Sequence, residues 1–273
     1  MTLEVEICTY GLDGLQRVAQ MTLPPVEGVR YRICMQNPDC AAVELPEALR
    51  RPDVDFFQHP TRGLSVNRNV ALDRAEADII LIADDDLHYT AEGLRAVIDT
   101  FAADPTLDFA TFEYSGPDGK TYPEQSCNLS EPLPRGYYIT SFELAIRRSS
   151  LPASLRFFIF MGIGNTFYTC GEENSFLLLL IRNGLKGKFF PIEICQHPGL
   201  TSGSRRPIPG SLRSIGGYIW LEHSNRSPFQ RFILAPLRIL RRSARPGVAY
   251  LTALRHILHG FLSAPSHFLQ HPR

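Results

Sequence analysis

Three consecutive acidic residues, Asp84, Asp85 and Asp86, follow directly on the apolar run 79–83. A short apolar run bounded by polar residues is typical of a buried strand, and ligands bind at the carboxyl ends of the strands in an open α/β sheet. Adjacent carboxylates repel one another, so a positive group should lie beside them. A divalent cation is the simplest candidate, because Mg²⁺ and Mn²⁺ bind carboxylate oxygens and substrate phosphates together.

The order of the three carboxylates predicts which of them hold the metal. Side chains alternate along a strand, so Asp84 and Asp86 point to one side and Asp85 to the other if the extended geometry continues past Ala83. Asp84 and Asp86 are therefore the predicted metal ligands. The alternative is that the acids form a solvated loop tip, or an N-cap cluster for a helix that begins near Thr90.

Strand-like and helix-like segments alternate along residues 1–200 and would position these acids. Apolar runs bounded by Gly, Pro and polar residues predict strands at 4–9, 31–35, 54–58, 79–83, 107–113 and 186–195, and one or two more within 137–148. Helical periodicity predicts helices at 12–21, 65–75, 90–103 and 175–183. Residues 115–135 have a loop-like composition, and 151–169 fit neither pattern. This order favours an α/β fold with a mostly parallel sheet, flanked by helices and joined by right-handed crossovers.

The overall composition is that of a globular chain, but its charges are unevenly placed. Of 273 residues, 44% are hydrophobic and 21% charged. Residues 201–273 contain eleven arginines, no lysine and one acid, and residues 1–200 balance that excess of positive charge. The six cysteines lack the spacing of a zinc site, so we expect free thiols in a reducing compartment. Neither a signal peptide nor a spanning segment is expected from the sequence, which favours a cytoplasmic protein.

At its acidic motifs the chain resembles family 2 glycosyltransferases of the GT-A fold. The resemblance covers residues 5–197 and depends on three motifs in the family's order. They are the segment Gly63-Leu64-Ser65-Val66-Asn67-Arg68-Asn69, the acids after 79–83, and Gly171-Glu172-Glu173 followed by Phe176, Gly184 and Pro191. One Asp-x-Asp motif is common by chance, whereas three motifs in register are a specific signal.

The resemblance implies a GT-A, Rossmann-like catalytic domain at 1–200 that transfers a sugar, with inversion, from a nucleotide-sugar donor and uses Mn²⁺ or Mg²⁺. By correspondence, Asp84 lies near the donor ribose and the metal, and Asp86 binds the metal. Glu173 stands where the family usually has the Asp that serves as general base. Since a Glu is one methylene longer, the base is either Glu173 or the neighbouring Glu172.

Further residues correspond to donor-binding positions, and each has a plainer alternative. The candidates are Thr9, Tyr10 and Gln36 at strand ends for the nucleotide, Asp85, Arg68 and Asn69 beside the donor, His197 as an additional metal ligand, and Arg205 and Arg206 over the diphosphate. Gln36 could be only a turn residue, and His197 only a half-buried side chain. Arg68 could instead pair with Asp73 or Glu76, Asn69 could only fix the loop beside the acids, and the two later arginines could form a solvated basic loop.

The extension at 201–273 contains two predicted helices, at 228–242 and 248–262. In the first, the apolar residues Phe229, Phe232, Ile233, Leu237 and Leu240 share one face. These apolar faces could simply pack on the catalytic domain. The charge is better explained by peripheral attachment to the cytoplasmic face of an anionic membrane, where a glycan or lipid-linked acceptor would be presented. Nucleic acid is not expected as a partner, since no binding motif accompanies the charge.

Two other functions compete with a hexosyltransferase of polysaccharide biosynthesis that uses, by default, a UDP-sugar. A phosphatase of the haloacid dehalogenase type also places Asp-x-Asp after a strand, but His88 stands where that class usually has Thr or Val. A non-catalytic membrane-surface or polysaccharide-binding protein on a degenerate transferase scaffold is the second alternative, because position 173 departs from the family pattern.

Overall fold

The computed structural model describes residues 1–40, 42–134, 136–199 and 208–270. These residues fall into two compact units. The first contains Met1–Arg62, Val66–Leu155 and residues 179–199, and the second contains Gly63–Ser65, Arg156–Leu178 and residues 208–270. The described helices include none with the length and apolar character needed to cross a bilayer.

One sheet holds all the described strands, and all of them belong to the first unit. In chain order they are β1 (Leu3–Tyr10), β2 (Val29–Gln36), β3 (Val54–His59), β4 (Ile79–Ala83), β5 (His88–Tyr89), β6 (Phe109–Ser115), β7 (Cys127–Leu129), β8 (Leu144–Arg147) and β9 (Gly187–Gln196). Their order across the sheet is β3-β2-β1-β4-β8-β6-β9-β5, and β7 pairs with β9.

The strands that precede the candidate residues are parallel. β1 lies between β2 and β4, and its register pairs Tyr10 with Gln36 and Ile7 with Ala83. The carboxyl ends of β1, β2 and β4 therefore meet at one edge of the sheet. β8 runs antiparallel to both β4 and β6, so the sheet is mixed. The predicted α/β fold is confirmed, and its parallel character is concentrated in the half that carries the acids.

Burial explains why β4 is a continuous apolar run instead of an alternation of polar and apolar residues. Every residue of β4 is buried, and so are seven of the eight residues of β1. Strands covered on both faces lose the polar face that half-exposed strands keep. Two charged residues, Glu4 and Glu6, are buried in β1 and face Arg32 of β2.

Seven helices are described, and some begin or end away from the predicted bounds. They are α1 (Gly11–Val18), α2 (Leu64–Arg74), α3 (Ala91–Ala103), α4 (Glu172–Arg182), α5 (Pro209–His223), α6 (Pro228–Ser243) and α7 (Tyr250–Gln270). Helix α4 begins earlier than predicted, because Gly171 adopts a φ of 85° and the chain turns into the helix there. Helix α5 and strand β7 were not predicted: α5 contains Gly216 and Gly217, and β7 has three residues.

In the second unit, α5 and α7 pack closely because glycines line their contact. A Cβ atom at Gly216 would lie 2.0 Å from the backbone oxygen of Ile257, and one at Gly260 would lie 2.0 Å from that of Arg213. Backbones this close leave no room for a side chain. Helix α6 contributes its small or narrow buried residues Ala235 and Ile239 to the same apolar cluster.

Candidate functional site

The three acids after β4 do not continue the strand. β4 ends at Ala83, and Asp85 and Asp86 lie in a turn. The condition for the predicted alternation of side chains is therefore not met. In the structure each acid has its own partners within the first unit, and each set of partners includes one arginine or histidine side chain.

Asp85 is held by the end of β1 and by α1. Thr9 donates its hydroxyl to Asp85 Oδ2 at 2.5 Å, and Arg17 donates from Nε at 3.1 Å and from Nη2 at 2.7 Å. A Cβ atom at Gly14 would lie 2.1 Å from the Thr9 hydroxyl oxygen, so only glycine fits beside this pair. Arg17 was not among the predicted residues. Its contact joins positions 68 residues apart, which no local pattern indicates.

Asp84 is held by Arg68 and Ser141. Arg68 is 2% exposed and donates from Nη2 to Asp84 Oδ1 at 2.8 Å and to the Ser141 hydroxyl at 2.6 Å. Asp84 is thus a partner of Arg68 that the sequence did not indicate, and pairing of Arg68 with Asp73 or Glu76 stays a prediction. Because its guanidinium is enclosed and bound to Asp84, the visible role of Arg68 is to fix that carboxylate. Contact of Arg68 with a phosphate stays a prediction.

Asp86 faces His197, which follows β9. The distance from His197 Nε2 to Asp86 Oδ2 is 3.4 Å. The hydrogen bond to Asp86 raises the pKa of His197, and the same bond lowers the pKa of Asp86. The other ring nitrogen, Nδ1, lies 2.6 Å from the Gly199 oxygen, which fixes the plane of the imidazole. The Asp86 side chain is 42% exposed while that of His197 is buried, so the pair opens to solvent through Asp86.

A short turn of three residues, Ser141–Glu143, contacts two of these partner sets. Ser141 binds Arg68, and the Phe142 ring stacks on His197 with centroids 5.4 Å apart and planes 2° from parallel. Glu143 is buried and accepts hydrogen bonds from Lys120 Nζ at 2.6 Å to each oxygen. Burial raises the pKa of Glu143, and Lys120 opposes that effect. This bracing turn was not predicted from the sequence.

The Lys120 ammonium is enclosed by aromatic rings. It lies 4.8 Å from the centre of the Tyr122 ring and 4.5 Å from that of Tyr138. The hydroxyl of Tyr122 also donates to Glu143. A desolvated cation against aromatic faces and a carboxylate is a strong anchor for the loop that carries it. The loop predicted at 115–135 is therefore tied to the bracing turn.

The predicted nucleotide positions at the ends of β1 and β2 have local partners. Tyr10 is 46% exposed, and its hydroxyl accepts from Arg62. Gln36 is buried and donates its amide to the Thr61 hydroxyl at 2.9 Å. Gln36 thus has a side-chain partner in the segment after β3 and is more than a turn residue.

Asn67 joins the two strands that carry these residues. Its amide nitrogen donates to the backbone oxygens of Thr9 and Cys34, at 3.0 Å each. Its side-chain oxygen lies 2.9 Å from His59 Nε2. This role of Asn67 was not predicted from the sequence. Asn69, which was predicted to fix the loop beside the acids, is half-buried, and its role stays a prediction.

The acids of the third motif lie at the start of α4, in the second unit. Glu172 is 4% exposed, and a Cβ atom at Gly162 would lie 2.9 Å from its carboxyl carbon. Glu173 is partly exposed, and its Oε1 accepts a hydrogen bond from Asn174 at 3.2 Å. Both carboxylates lie in the first turn of the helix, where the dipole stabilises negative charge.

Two further predictions concern the arginines over the diphosphate and the metal site. Arg205 and Arg206 lie outside the described residues. Among residues 1–40, 42–134, 136–199 and 208–270, no three His, Cys, Asp or Glu side chains form a group that could hold a metal ion.

A comparison with protein-family models supports the resemblance drawn from the motifs. The model described as glycosyl transferase family 2 matches residues 41–164. The matched range contains the first two motifs on which the resemblance was based. A search of curated proteins finds no significant match.

Solved glycosyltransferase structures share the fold. The structure of S. aureus TarS residues 1–349 in complex with UDP-GlcNAc has a TM-score of 0.65 and 16% identity, covering 97% of this chain and 81% of that one. The TarS complex with UDP has a TM-score of 0.57 and 15% identity, covering 99% of this chain and 92% of that one. The mannosyltransferase PcManGT from Pyrobaculum calidifontis, in complex with GDP-Man and Mn²⁺, has a TM-score of 0.53 and 14% identity, covering 97% and 75%. The predicted GT-A, Rossmann-like fold is confirmed.

Proposed function

We propose that this chain is a family 2 glycosyltransferase that transfers a hexose with inversion from a nucleotide-sugar donor, a UDP-sugar by default, to a glycan or lipid-linked acceptor. One observation carries the proposal. At the carboxyl edge of β4, Asp84 and Asp85 are neutralised by Arg68 and Arg17, while Asp86 stays partly exposed beside an imidazole. A charged diphosphate needs a positive group at this edge; Asp84 and Asp85 each bind an arginine, whereas the described partner of Asp86 is the imidazole of His197.

A divalent cation fits the residues at Asp86. Mg²⁺ and Mn²⁺ take one or two protein ligands and fill their other positions with water and substrate phosphates. Asp86 and His197 provide one oxygen and one nitrogen ligand, 3.4 Å apart, and would hold the ion. When bound, it would neutralise the charge that develops on the leaving diphosphate. Asp84 would then accept a hydrogen bond from the donor ribose, with Arg68 holding it in place.

The donor nucleotide is proposed to bind at the ends of β1 and β2. Thr9 and Gln36 have fixed side chains there, and the exposed ring of Tyr10 offers a surface for a nucleotide base. The nucleotide that we propose binds there is UDP by default. The TarS complexes contain UDP and UDP-GlcNAc, and PcManGT contains GDP-Man.

We infer that Glu173 is the general base. In the transfer step the acceptor hydroxyl oxygen attacks the anomeric carbon, the bond to the diphosphate oxygen breaks, and the base takes the hydroxyl proton. Glu173 is partly exposed, and its carboxyl group accepts a hydrogen bond from Asn174 at a helix amino terminus, where the dipole favours negative charge. Glu172 is enclosed beside Gly162, which favours a structural role for it. Glu172 is the alternative base.

The proposal is tested by ligand-dependent melting and by turnover. Thermal shifts with UDP and GDP, each with and without Mn²⁺, should show stabilisation by one nucleotide that depends on the metal. A panel of nucleotide sugars should then show Mn²⁺-dependent donor hydrolysis. Asp86→Ala should abolish the metal dependence, while Glu173→Gln should keep nucleotide binding and lose turnover. Glu172→Gln is the matched control and should keep turnover.

A second candidate function is a non-catalytic, glycan-binding protein on the same scaffold. Glu at position 173, where the family usually has Asp, favours it. The two functions separate in the same assay: no thermal shift with any nucleotide would support the binding protein, and metal-dependent turnover would exclude it.

The proposed organisation places the catalytic domain at 1–200 and a basic extension at 201–273, with a role in polysaccharide biosynthesis. Residues 201–273 carry a net charge of +10 from eleven arginines and one acid. A surface of one sign is stabilised by a negative partner, so we propose that the enzyme works at the cytoplasmic face of a membrane.

A further inference from the structure

Helices α6 and α7 expose an unusual number of large apolar side chains. Eleven of the exposed large hydrophobic residues lie on these two helices. They are Phe229, Phe232, Ile233, Leu234, Leu237 and Leu240 on α6, and Tyr250, Leu251, Leu258, Leu262 and Leu269 on α7. Extended exposed apolar surface marks a site of interaction with a protein or a membrane.

The way α6 packs leaves its apolar side uncovered. Its buried residues are Ala235, Ile239 and Ser243, spaced four apart on one face. Phe229 and Phe232 are 73% and 80% exposed. The expectation that the large apolar residues of this helix pack against the protein is therefore wrong. Ala235, Ile239 and Ser243 make the contact, and the aromatic side chains of the helix face solvent.

The exposed residues of α7 also form one stripe. Leu251, Leu258, Leu262 and Leu269 are separated by seven, four and seven residues and so lie on one side of the helix. Arg255 is exposed and lies in the same stripe, four residues after Leu251 and three before Leu258. We call this stripe, together with the exposed apolar side of α6, the apolar stripes.

Positive charge accompanies the apolar stripes and little negative charge opposes it. Residues 208–270 contain eight arginines, no lysine and one acid, Glu222. Glu222 forms an ion pair with Arg238, with 2.9 Å between Glu222 Oε2 and Arg238 Nε. Arg241 is exposed and lies four residues after Leu237, at the border of the α6 stripe. Partial burial, with repulsion from Arg238 and Arg245, lowers the pKa of Arg242, so the arginines near the end of α6 are crowded.

We propose that the apolar stripes of α6 and α7 form a surface that binds the anionic headgroup layer of a membrane. Apolar side chains would enter the boundary between headgroups and acyl chains, and the arginines would contact lipid phosphates. A second copy of this chain fits less well, because pairing the stripes would bring two arginine-rich surfaces together. The inference rests on the proposed function only for its purpose, which is to bring a lipid-linked acceptor to the enzyme.

The length of α6 favours binding of this helix in the plane of the membrane. Helix α6 has 16 residues, about 24 Å at a rise of about 1.5 Å per residue, which is shorter than a hydrocarbon core of about 30 Å. Both helices also carry arginine within or beside the stripe. An amphipathic helix of this kind lies at the interface instead of crossing it.

The test is sedimentation of the full chain with lipid vesicles at physiological salt. Vesicles of phosphatidylcholine with about one third phosphatidylglycerol should bind the protein, and pure phosphatidylcholine should bind it at least about tenfold less. The double variant Phe229→Ser/Phe232→Ser and the double variant Arg241→Gln/Arg242→Gln should each weaken binding about tenfold or more. Leu12→Ser and Arg95→Gln change an exposed leucine and an exposed arginine elsewhere and should bind as the wild type does.

Several outcomes would overturn the proposal. These are absence of binding by the wild-type chain, equal binding to both vesicle types, or equal losses in the control variants. Concentration-dependent self-association in analytical ultracentrifugation, abolished by Phe229→Ser/Phe232→Ser and without vesicle binding, would assign the stripes to a second copy. Mn²⁺-dependent donor hydrolysis in vesicle-free solution is measured in parallel. If donor hydrolysis is absent while vesicle binding is observed, the proposed activity is rejected and the proposed membrane-binding surface is retained.

Discussion

Removing the Lys120 ammonium should test how the acidic turn is held. In the Lys120→Met variant, Glu143 loses two hydrogen bonds of 2.6 Å and stays buried, with 1% of its surface exposed. Removing one partner of a buried ion pair leaves an uncompensated charge and costs about 3–5 kcal/mol. For a chain of this size that corresponds to a fall in melting temperature of roughly 6–15 °C.

A double variant separates the ion pair from the packing around it. Glu143→Leu combined with Lys120→Met replaces both charges by apolar groups of similar size. It should be more stable than Lys120→Met alone, because buried pairs replaced by apolar residues are often neutral. Urea unfolding followed by far-ultraviolet circular dichroism measures both free energies. A loss below about 1 kcal/mol for Lys120→Met, or no recovery in the double variant, would refute the argument.

The same perturbation should reach the proposed metal ligands. Glu143 is preceded in the chain by Phe142, which stacks on His197, and by Ser141, which contacts the Arg68–Asp84 pair. Partners that orient metal ligands typically contribute roughly 10–100-fold in metal affinity. Lys120→Met should therefore weaken Mn²⁺ binding by about tenfold or more in electron paramagnetic resonance titrations. Unchanged Mn²⁺ affinity would show that the bracing turn has only a structural role.

Three further changes test other parts of the structure. Burial, with repulsion from Glu4, raises the pKa of Glu6 from 4.5 to about 9. Between these two pH values the folded chain holds a proton that the unfolded chain releases, so the free energy of unfolding should fall as pH rises. The variant Glu6→Gln should flatten this pH dependence in urea unfolding measured at several pH values. Gly14→Ala would place a Cβ 2.1 Å from the Thr9 hydroxyl and should cost about 1–3 kcal/mol and weaken nucleotide-dependent thermal shifts, while unchanged melting would contradict the tight fit. Because the Asp86 hydrogen bond raises the pKa of His197, Mn²⁺ must compete with a proton, and its affinity by calorimetry should weaken as pH falls through that raised pKa; His197→Gln should remove the dependence.

Several features followed from the sequence alone. The apolar run that ends in Asp84, Asp85 and Asp86 predicted a buried strand with acids at its carboxyl end, and β4 matches the predicted bounds. Strand β3 and helix α3 were also predicted to within one residue. These features depend on local periodicity and on Gly and Pro residues that mark the ends of helices and strands, and both can be seen directly in the sequence.

Tertiary structure decided the partners of the acids. Arg17, Arg68 and His197 come to the acidic turn from α1, α2 and the end of β9, and a different sheet order would have given different pairs. The bracing turn depends in the same way on where β8 enters the sheet between β4 and β6. Side-chain contacts between distant segments depend on crossovers and loop conformations, which periodicity does not specify.

The C-terminal helices show the same division most clearly. The amphipathic pattern of α6 was determined by the sequence, because 3.6-residue periodicity places Phe229, Phe232 and Leu240 together. Which side of the helix is covered was decided by packing, since glycines bring α5 and α7 close together and Ala235 and Ile239 of α6 join the same apolar cluster. A pattern defines an apolar face, but only the fold determines whether another part of the protein covers it or leaves it in solvent.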